Sequence, residues 1–190
     1  MDARYSHRLD EAVALATDAF RGRVRKGTDV PYLTHLLQVM VWVGEHGGDE
    51  EQMIAAVLHD WLEDIEGAEL AELERRFGPR VAGLVSGLSD STTHPKPPWR
   101  ARKEAYLRHL AGASADLKLI SAADKLHNAT SIRRDLRTVG PVLWTRFTGA
   151  RDGTLWYYGA VVEALSSDWD HALLTALKTE VGYLLVEASP

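Results

Sequence analysis

Apolar residues recur along this chain at three- and four-residue intervals, and no stretch alternates with the two-residue period of a half-buried strand. That pattern predicts an all-α fold. Leu9, Val13, Ala16 and Phe20 share one side of a first helix that Ser6 is placed to cap. A basic turn segment, Arg23 to Pro31, leads to a second helix over about 33–46 that Gly47-Gly48 stops. Asp49 with Gln52 three residues on reads as a capping box opening a central helix. A short charged helix over 68–77 ends at Gly78, and Pro79 suits the first turn of the next, through Leu88. Residues 91–98, which include His94 and three prolines, read as a mobile flap. Helical pattern resumes over 99–110, from a Ser114 cap to about 136, over 154–165 and over 168–187, with a break at Gly140-Pro141. The result is a compact multi-helix bundle of about nine or ten helices, with the short connections such bundles prefer.

A chain of 190 residues with 45% hydrophobic content suits one domain over residues 1–190 with a full core. It has no cysteine, so any metal must be held by nitrogen and oxygen ligands. A net charge of -5 argues against a general nucleic-acid surface. The first nine residues lack the apolar region of a signal peptide, and no run approaches membrane-spanning length. A cytoplasmic protein acting on a small molecule is the default expectation. Trp42, Trp99, Trp144 and Trp156 suit either a homodimer interface or core packing.

The chemistry concentrates in Ala55-Ala56-Val57-Leu58-His59-Asp60-Trp61-Leu62-Glu63-Asp64. Read as one continuous helix, this stretch stacks His59 over Glu63 and Asp60 over Asp64. Acidic residues at the end of a helix oppose its dipole, and a divalent cation would relieve them. His35 and Asp124 are two further candidate ligands. Each alone has a plainer reading, His35 as a satisfied core histidine and Asp124 as an ion-paired helix residue. Asp124 lies among Leu119, Ile120, Ala122, Ala123 and Leu126, where an unpaired carboxylate is costly, and a metal or a salt bridge to Lys125 or an arginine would resolve that cost. Together, two imidazoles and two carboxylates make a mixed shell that suits Mn²⁺ or Fe²⁺, with Mg²⁺ or Zn²⁺ as alternatives. Positions left open on such an ion make the site catalytic in type, because a coordinated water loses its proton more easily.

His35, His59-Asp60 and Asp124 resemble the ligand signature of the HD-domain metal-dependent phosphohydrolases. His59-Asp60-x-x-Glu63-Asp64 is similar to the branch that hydrolyses the alarmone (p)ppGpp, as in the Rel/Spo hydrolase domain and small alarmone hydrolases. Arg25-Lys26-Gly27 followed by Pro31-Tyr32-x-x-His35, then Ala123 to Asn128, then Thr154-Leu155-x-x-Tyr158, resemble further motifs of that branch. The likeness runs from about residue 5 to 165. It departs at Leu36, where the family usually carries proline.

The resemblance implies an HD-type bundle in which His35, His59, Asp60 and Asp124 hold one metal. A water activated there would attack the phosphorus of a 3′-linked diphosphate and release pyrophosphate. It implies that Glu63 and Asp64 accept the proton of that water or order a second one, that Arg25 and Lys26 neutralise phosphate charge, that Asn128 bonds a ribose or phosphate oxygen, and that Tyr158 contacts the nucleoside, with a core tyrosine as the alternative. His127 reads as a residue that packs or supports a ligand rather than as a ligand itself, and Lys125, Arg133 and Arg134 as ordinary helix charges. Two alternatives share these residues. One is an HD nucleotidase or phosphatase acting on a nucleoside monophosphate or NADPH, and the other is a non-catalytic nucleotide-sensing module. A two-metal phosphodiesterase would need more histidines between Asp60 and Asp124 than His94 and His109.

Overall fold

The computed structural model describes residues 5–91 and 95–189. Among them the protein is all-α, and the single backbone bridge of β type joins Val24 to Pro31. Eight helices span two turns or more, and a four-residue α-turn and a 3-10 helix complete the set, so the expected count ran slightly high. No helix is long and apolar enough to cross a membrane. The chain forms two compact units, Met1–Thr92 and Thr93–Pro190.

The first unit contains α1 (His7–Ala19), α2 (Leu33–Glu45), α3 (Glu50–Val57), α4 (Trp61–Asp64) and α5 (Leu70–Leu88). Helix α3 is its hub, with α1, α2 and α5 packed on it. Ile54, Ala55, Ala56, Val57 and Leu58 are fully buried, and the two alanines let neighbouring helices come close. Both expected caps are present. The Ser6 side chain accepts from the Arg8 backbone N–H, and Asp49 and Gln52 cap each other at 2.9 and 2.8 Å. Gly78 takes a left-handed φ of 85° ahead of Pro79, so α5 is two helices meeting at a kink, as those residues predict.

The central helix differs from the sequence expectation. It ends at Val57, Leu58 to Asp60 form a turn, and α4 starts at Trp61. The His59 imidazole bonds the Ala56 carbonyl at 2.7 Å, and the Trp61 N–H tightens onto Leu58 O at 2.9 Å, an i→i−3 closure. The four-residue stacking of His59 on Glu63 and Asp60 on Asp64 therefore does not follow from one continuous helix. Glu63 and Asp64 belong to a separate single turn of helix, so the opposition to a long helix's dipole expected of them does not arise.

An ionic bracket ties α1, α3 and α5 together. Arg8 reaches Glu51 at 2.9 Å, and Arg80 reaches Asp49 at 2.7 Å and Glu51 at 3.1 Å. The hydrogen bond from Arg8 holds the Glu51 carboxyl below its usual range. Partial burial works to raise the Asp49 carboxyl, but the Gln52 N–H and Arg80 outweigh it, and the net direction is also down. Lowered folded-state values mean stabilisation that is complete above the unfolded pKa, about 4.3 for Glu, and lost as pH falls through the folded value. Glu51→Gln is expected to melt lower than wild type at neutral pH and to lose less further stability below about pH 4. Thermal unfolding across that range checks this; parallel curves for the two proteins would contradict it.

The second unit contains α6 (Trp99–Ala111), α7 (Ala115–Val139), a 3-10 helix (Gly140–Arg146), α8 (Ala150–Leu165) and α9 (Ala172–Glu187). Helix α7 lies against α9 and the 3-10 helix, and α8 packs between α6 and α9. Ser114 caps α7 as expected. The last helix starts later than its sequence pattern suggests, because Asp168 takes a left-handed φ of 55° and His171 becomes the cap. Gly149 is required by packing: a Cβ there would come within 2.7 Å of the Trp99 ring. Trp144 is buried, which favours the core-packing reading for it, while Trp42, Trp99 and Trp156 are half-buried, with Trp99 meeting Trp156 edge-on at 6.1 Å. Of the loop expected over 91–98, Pro95 to Pro98 carry no regular helix or strand, while Thr92, Thr93 and His94 lie outside the described residues.

Candidate metal centre

Two elements of the first unit deliver the donors. The loop before α2 closes through Arg25 N–H to Val30 O at 2.8 Å and Tyr32 N–H to Arg23 O at 2.9 Å. That closure sets Tyr32 as the residue leading into α2, and His35 follows within the first helical turn, fully buried. The turn between α3 and α4 presents His59, 3% exposed, and Asp60 beside it.

The two imidazoles meet edge to face with centroids 5.0 Å apart. The Oδ2 atom of Asp60 lies 3.1 Å from Nε2 of His59 and 3.7 Å from Nε2 of His35. Ligand atoms about 2.1 Å from one ion and at right angles around it are about 3.0 Å apart. The Asp60 separations are therefore close to those of neighbouring ligands in one shell. Carbonyl oxygens only accept, so Nδ1 of His59 donates to Ala56 and the neutral ring keeps its lone pair on Nε2, the atom facing Asp60. A carboxylate and two buried imidazoles so arranged fit a divalent cation by both donor type and spacing.

The acidic pair follows the ligand turn directly in α4, and the basic segment precedes Tyr32. Glu63 and Asp64 lie on α4 and are half-buried. Glu63 accepts from the Asp90 backbone N–H at 3.4 Å, and the Asp64 carbonyl accepts from Arg23 at 2.8 Å. The Arg25 guanidinium covers the Tyr32 ring at 5.4 Å, while Lys26 is exposed.

The remaining sequence candidates belong to the second unit. Asp124 is 5% exposed in the middle of α7, and the cost of burying it is met locally. The Lys125 ammonium donates to Oδ2 and the Asn128 amide to Oδ1. Burial works to lower the Lys125 pKa, but the Asp124 carboxylate prevails and holds it well above the usual lysine value. Lys125 is thus no ordinary helix charge, and it also covers the Tyr106 ring at 5.4 Å. Arg133 likewise pairs with Glu180 at 3.0 Å and covers the Tyr183 ring at 4.9 Å. Arg134 keeps the surface role expected of it, and His127 is half-buried. Tyr158 is buried in α8 against Tyr157. Lys125→Met is expected to cost the metal-free protein about 3 kcal/mol, because it strips a buried carboxylate of its counter-charge. Urea unfolding in chelator measures this; a loss under about 1 kcal/mol would mean a solvent-screened pair.

One site residue carries a role that sequence reading did not give it. Tyr32 donates its hydroxyl to Asp60 Oδ2 at 2.5 Å. Burial, then the neighbouring Asp60 carboxylate, pushes the phenol well above its usual pKa, so it stays a donor. Its place three residues before His35 was visible in the Pro31-Tyr32-x-x-His35 motif, but no periodicity links it to Asp60.

The HD domain family model matches residues 12–155. The guanosine-3′,5′-bis(diphosphate) 3′-pyrophosphohydrolase MESH1 of Drosophila melanogaster is 35% identical over 133 residues, covering 67% of this chain and 70% of that protein. The bifunctional (p)ppGpp synthase/hydrolase SpoT of Escherichia coli K12 is 35% identical over 139 residues, 68% of this chain but 19% of the larger protein. Among solved structures, a metazoan SpoT ortholog described as hydrolysing ppGpp superimposes with a TM-score of 0.77 at 28% identity, over 97% of both chains. A Listeria monocytogenes protein superimposes at 0.73 and 26% identity, over 80% of this chain and 99% of that one.

Proposed function

The chain belongs to the HD domain family, and from that membership we propose that it is a metal-dependent phosphohydrolase acting as one domain over residues 1–190. Its substrate in this reading is guanosine-3′,5′-bis(diphosphate) or the pentaphosphate, as the names of its relatives suggest. The observation that carries the reading is the convergence of His35, His59 and Asp60 at separations that suit one coordination shell. Asp124, buried and acidic, is proposed as the fourth protein ligand. The donor set favours Mn²⁺, with Fe²⁺, Mg²⁺ or Zn²⁺ as alternatives.

A divalent cation held there supplies Lewis acidity, polarising a phosphoryl oxygen and lowering the pKa of a coordinated water. Glu63 or Asp64 accepts the proton that the attacking water gives up. The new bond forms between that water's oxygen and the phosphorus attached to the ribose 3′ oxygen. The bond from that phosphorus to the 3′ oxygen breaks, pyrophosphate leaves, and the 3′ oxygen takes up a proton. Arg25 and Lys26 offset the negative charge spread over the phosphoryl oxygens. The Asn128 amide N–H donates to a ribose or phosphate oxygen, and Tyr158 serves the nucleoside. A soluble nucleotide of this kind makes the cytoplasm the working compartment.

A hydrolysis panel with Mn²⁺ tests the assignment, using ppGpp, pppGpp, NADPH and simple nucleoside monophosphates. The reading requires pyrophosphate release from ppGpp or pppGpp with the highest kcat/KM of the panel. Phosphate release from NADPH or a monophosphate as the dominant activity assigns the site to a nucleotidase. No turnover on any member, with metal bound, assigns it to a sensing module.

A further inference from the structure

Asp60 is the N-cap residue of α4, where an aspartate ordinarily turns its carboxylate onto its own helix's N–H groups. Here it makes no such bond. The carboxylate is instead turned toward the imidazoles of His35 and His59, and the bond that Tyr32 donates reaches the same oxygen that faces those imidazoles. The Tyr32 ring is itself fixed. It stacks on Phe20 at 5.3 Å with planes 13° apart, and meets the His35 ring edge-on at 5.5 Å. Phe20 is 2% exposed, so this stack is anchored in the core of the first unit. One side chain thus contacts the ring of one candidate ligand and the carboxylate of another, and carries Arg25 over its face.

We propose that Tyr32 is a positioning residue of this centre, whose hydroxyl orients Asp60 toward a divalent cation while its ring sets His35. The proposal rests on the metal-binding reading above. A tyrosine serving packing alone would need only its ring, and the ring contacts would survive loss of the hydroxyl. The hydroxyl restricts the rotation of the Asp60 carboxylate and leaves Oδ2 a lone pair for the ion. Hydrogen-bonded supports of this kind hold ligand geometry, and their removal typically costs 10- to 100-fold in metal affinity.

The full-length protein is stripped of metal and titrated with Mn²⁺ by calorimetry, alongside Tyr32→Phe, Tyr32→Leu and His59→Ala, with each metal-free melting temperature recorded. Tyr32→Phe is expected to bind Mn²⁺ about 10- to 100-fold more weakly while its metal-free form melts within about 2 °C of wild type. Tyr32→Leu is expected to weaken Mn²⁺ binding and also to melt lower, because the Phe20 stack is lost. Tyr32→Phe affinity within about twofold of wild type, with binding lost in His59→Ala, overturns the role of Tyr32 and leaves the metal site standing. A metal-free Tyr32→Phe protein that melts as low as Tyr32→Leu assigns the hydroxyl to packing and also overturns it. Wild type that takes up no Mn²⁺, or His59→Ala that binds it unchanged, overturns the metal reading and this proposal together.

Discussion

His59→Ala is expected to abolish stoichiometric Mn²⁺ binding and to lower kcat/KM on ppGpp by on the order of a thousandfold or more. The loss exceeds the 10- to 100-fold that outer supports command because His59 offers its Nε2 lone pair directly. The imidazole is 3% exposed, its tautomer is set by the Ala56 carbonyl, and its Nε2 stands 3.1 Å from the Asp60 carboxylate. Alanine removes the ligand and also leaves a cavity under the turn that carries Asp60. Stability therefore falls too, by about 1–3 kcal/mol, and metal content and activity are measured at a temperature where the variant stays folded. Inductively coupled plasma analysis of protein reconstituted with Mn²⁺, with initial rates on the same samples, gives both numbers. Retained metal with retained activity would move the centre away from this turn.

Glu63→Gln and Asp64→Asn are expected to separate binding from turnover. Both side chains are half-buried on the short α4 next to the ligand turn, and neither belongs to the proposed ligand set. Each amide is close in size to the acid it replaces but accepts no proton at neutral pH. Metal affinity should change little, while kcat falls about 10²- to 10⁴-fold for whichever residue takes the proton. Glu63 also accepts from the Asp90 N–H, so the loss for Glu63→Gln includes a contribution from altered loop position. A kcat loss without a KM rise marks a group needed in the transition state, and a KM rise with kcat unchanged would make the residue a substrate contact. If both variants lose metal, the acids are ligands and the proton acceptor lies elsewhere.

Much of this architecture is written in local sequence. Ser6, Asp49 with Gln52, Gly78-Pro79 and Ser114 act within a few residues of themselves, so their roles follow from spacing alone. The break between α3 and α4 was not legible. Leu58-His59-Asp60-Trp61 holds no glycine or proline, and although Asp60 with Glu63 has the spacing of a helix start, the turn is closed by a histidine ring on a carbonyl three residues back, which no spacing shows. Asp168 is a second miss of this kind, an ordinary residue in a left-handed conformation.

The candidate site divides in the same way. His35, His59, Asp60 and Asp124 stood out as polar residues in apolar surroundings, and the family resemblance joined them. What joins Tyr32 to Asp60 is a contact across 28 residues, and no period carries that information. A salt bridge from Lys125 to Asp124 was one of the partners the sequence offered, but a lysine on a helix is usually solvated, and its burial beside that carboxylate follows only from packing. Roles that depend on long-range packing appear only once the helices are assembled.

The central claim is that one divalent ion is held by His35, His59, Asp60 and Asp124. Crystals grown with Mn²⁺ and measured at the manganese absorption edge test it most directly. The account predicts a single anomalous peak about 2.0–2.3 Å from Nε2 of His35, Nε2 of His59 and carboxylate oxygens of Asp60 and Asp124. A peak bound by other residues, or one that leaves either imidazole outside the shell, would contradict it.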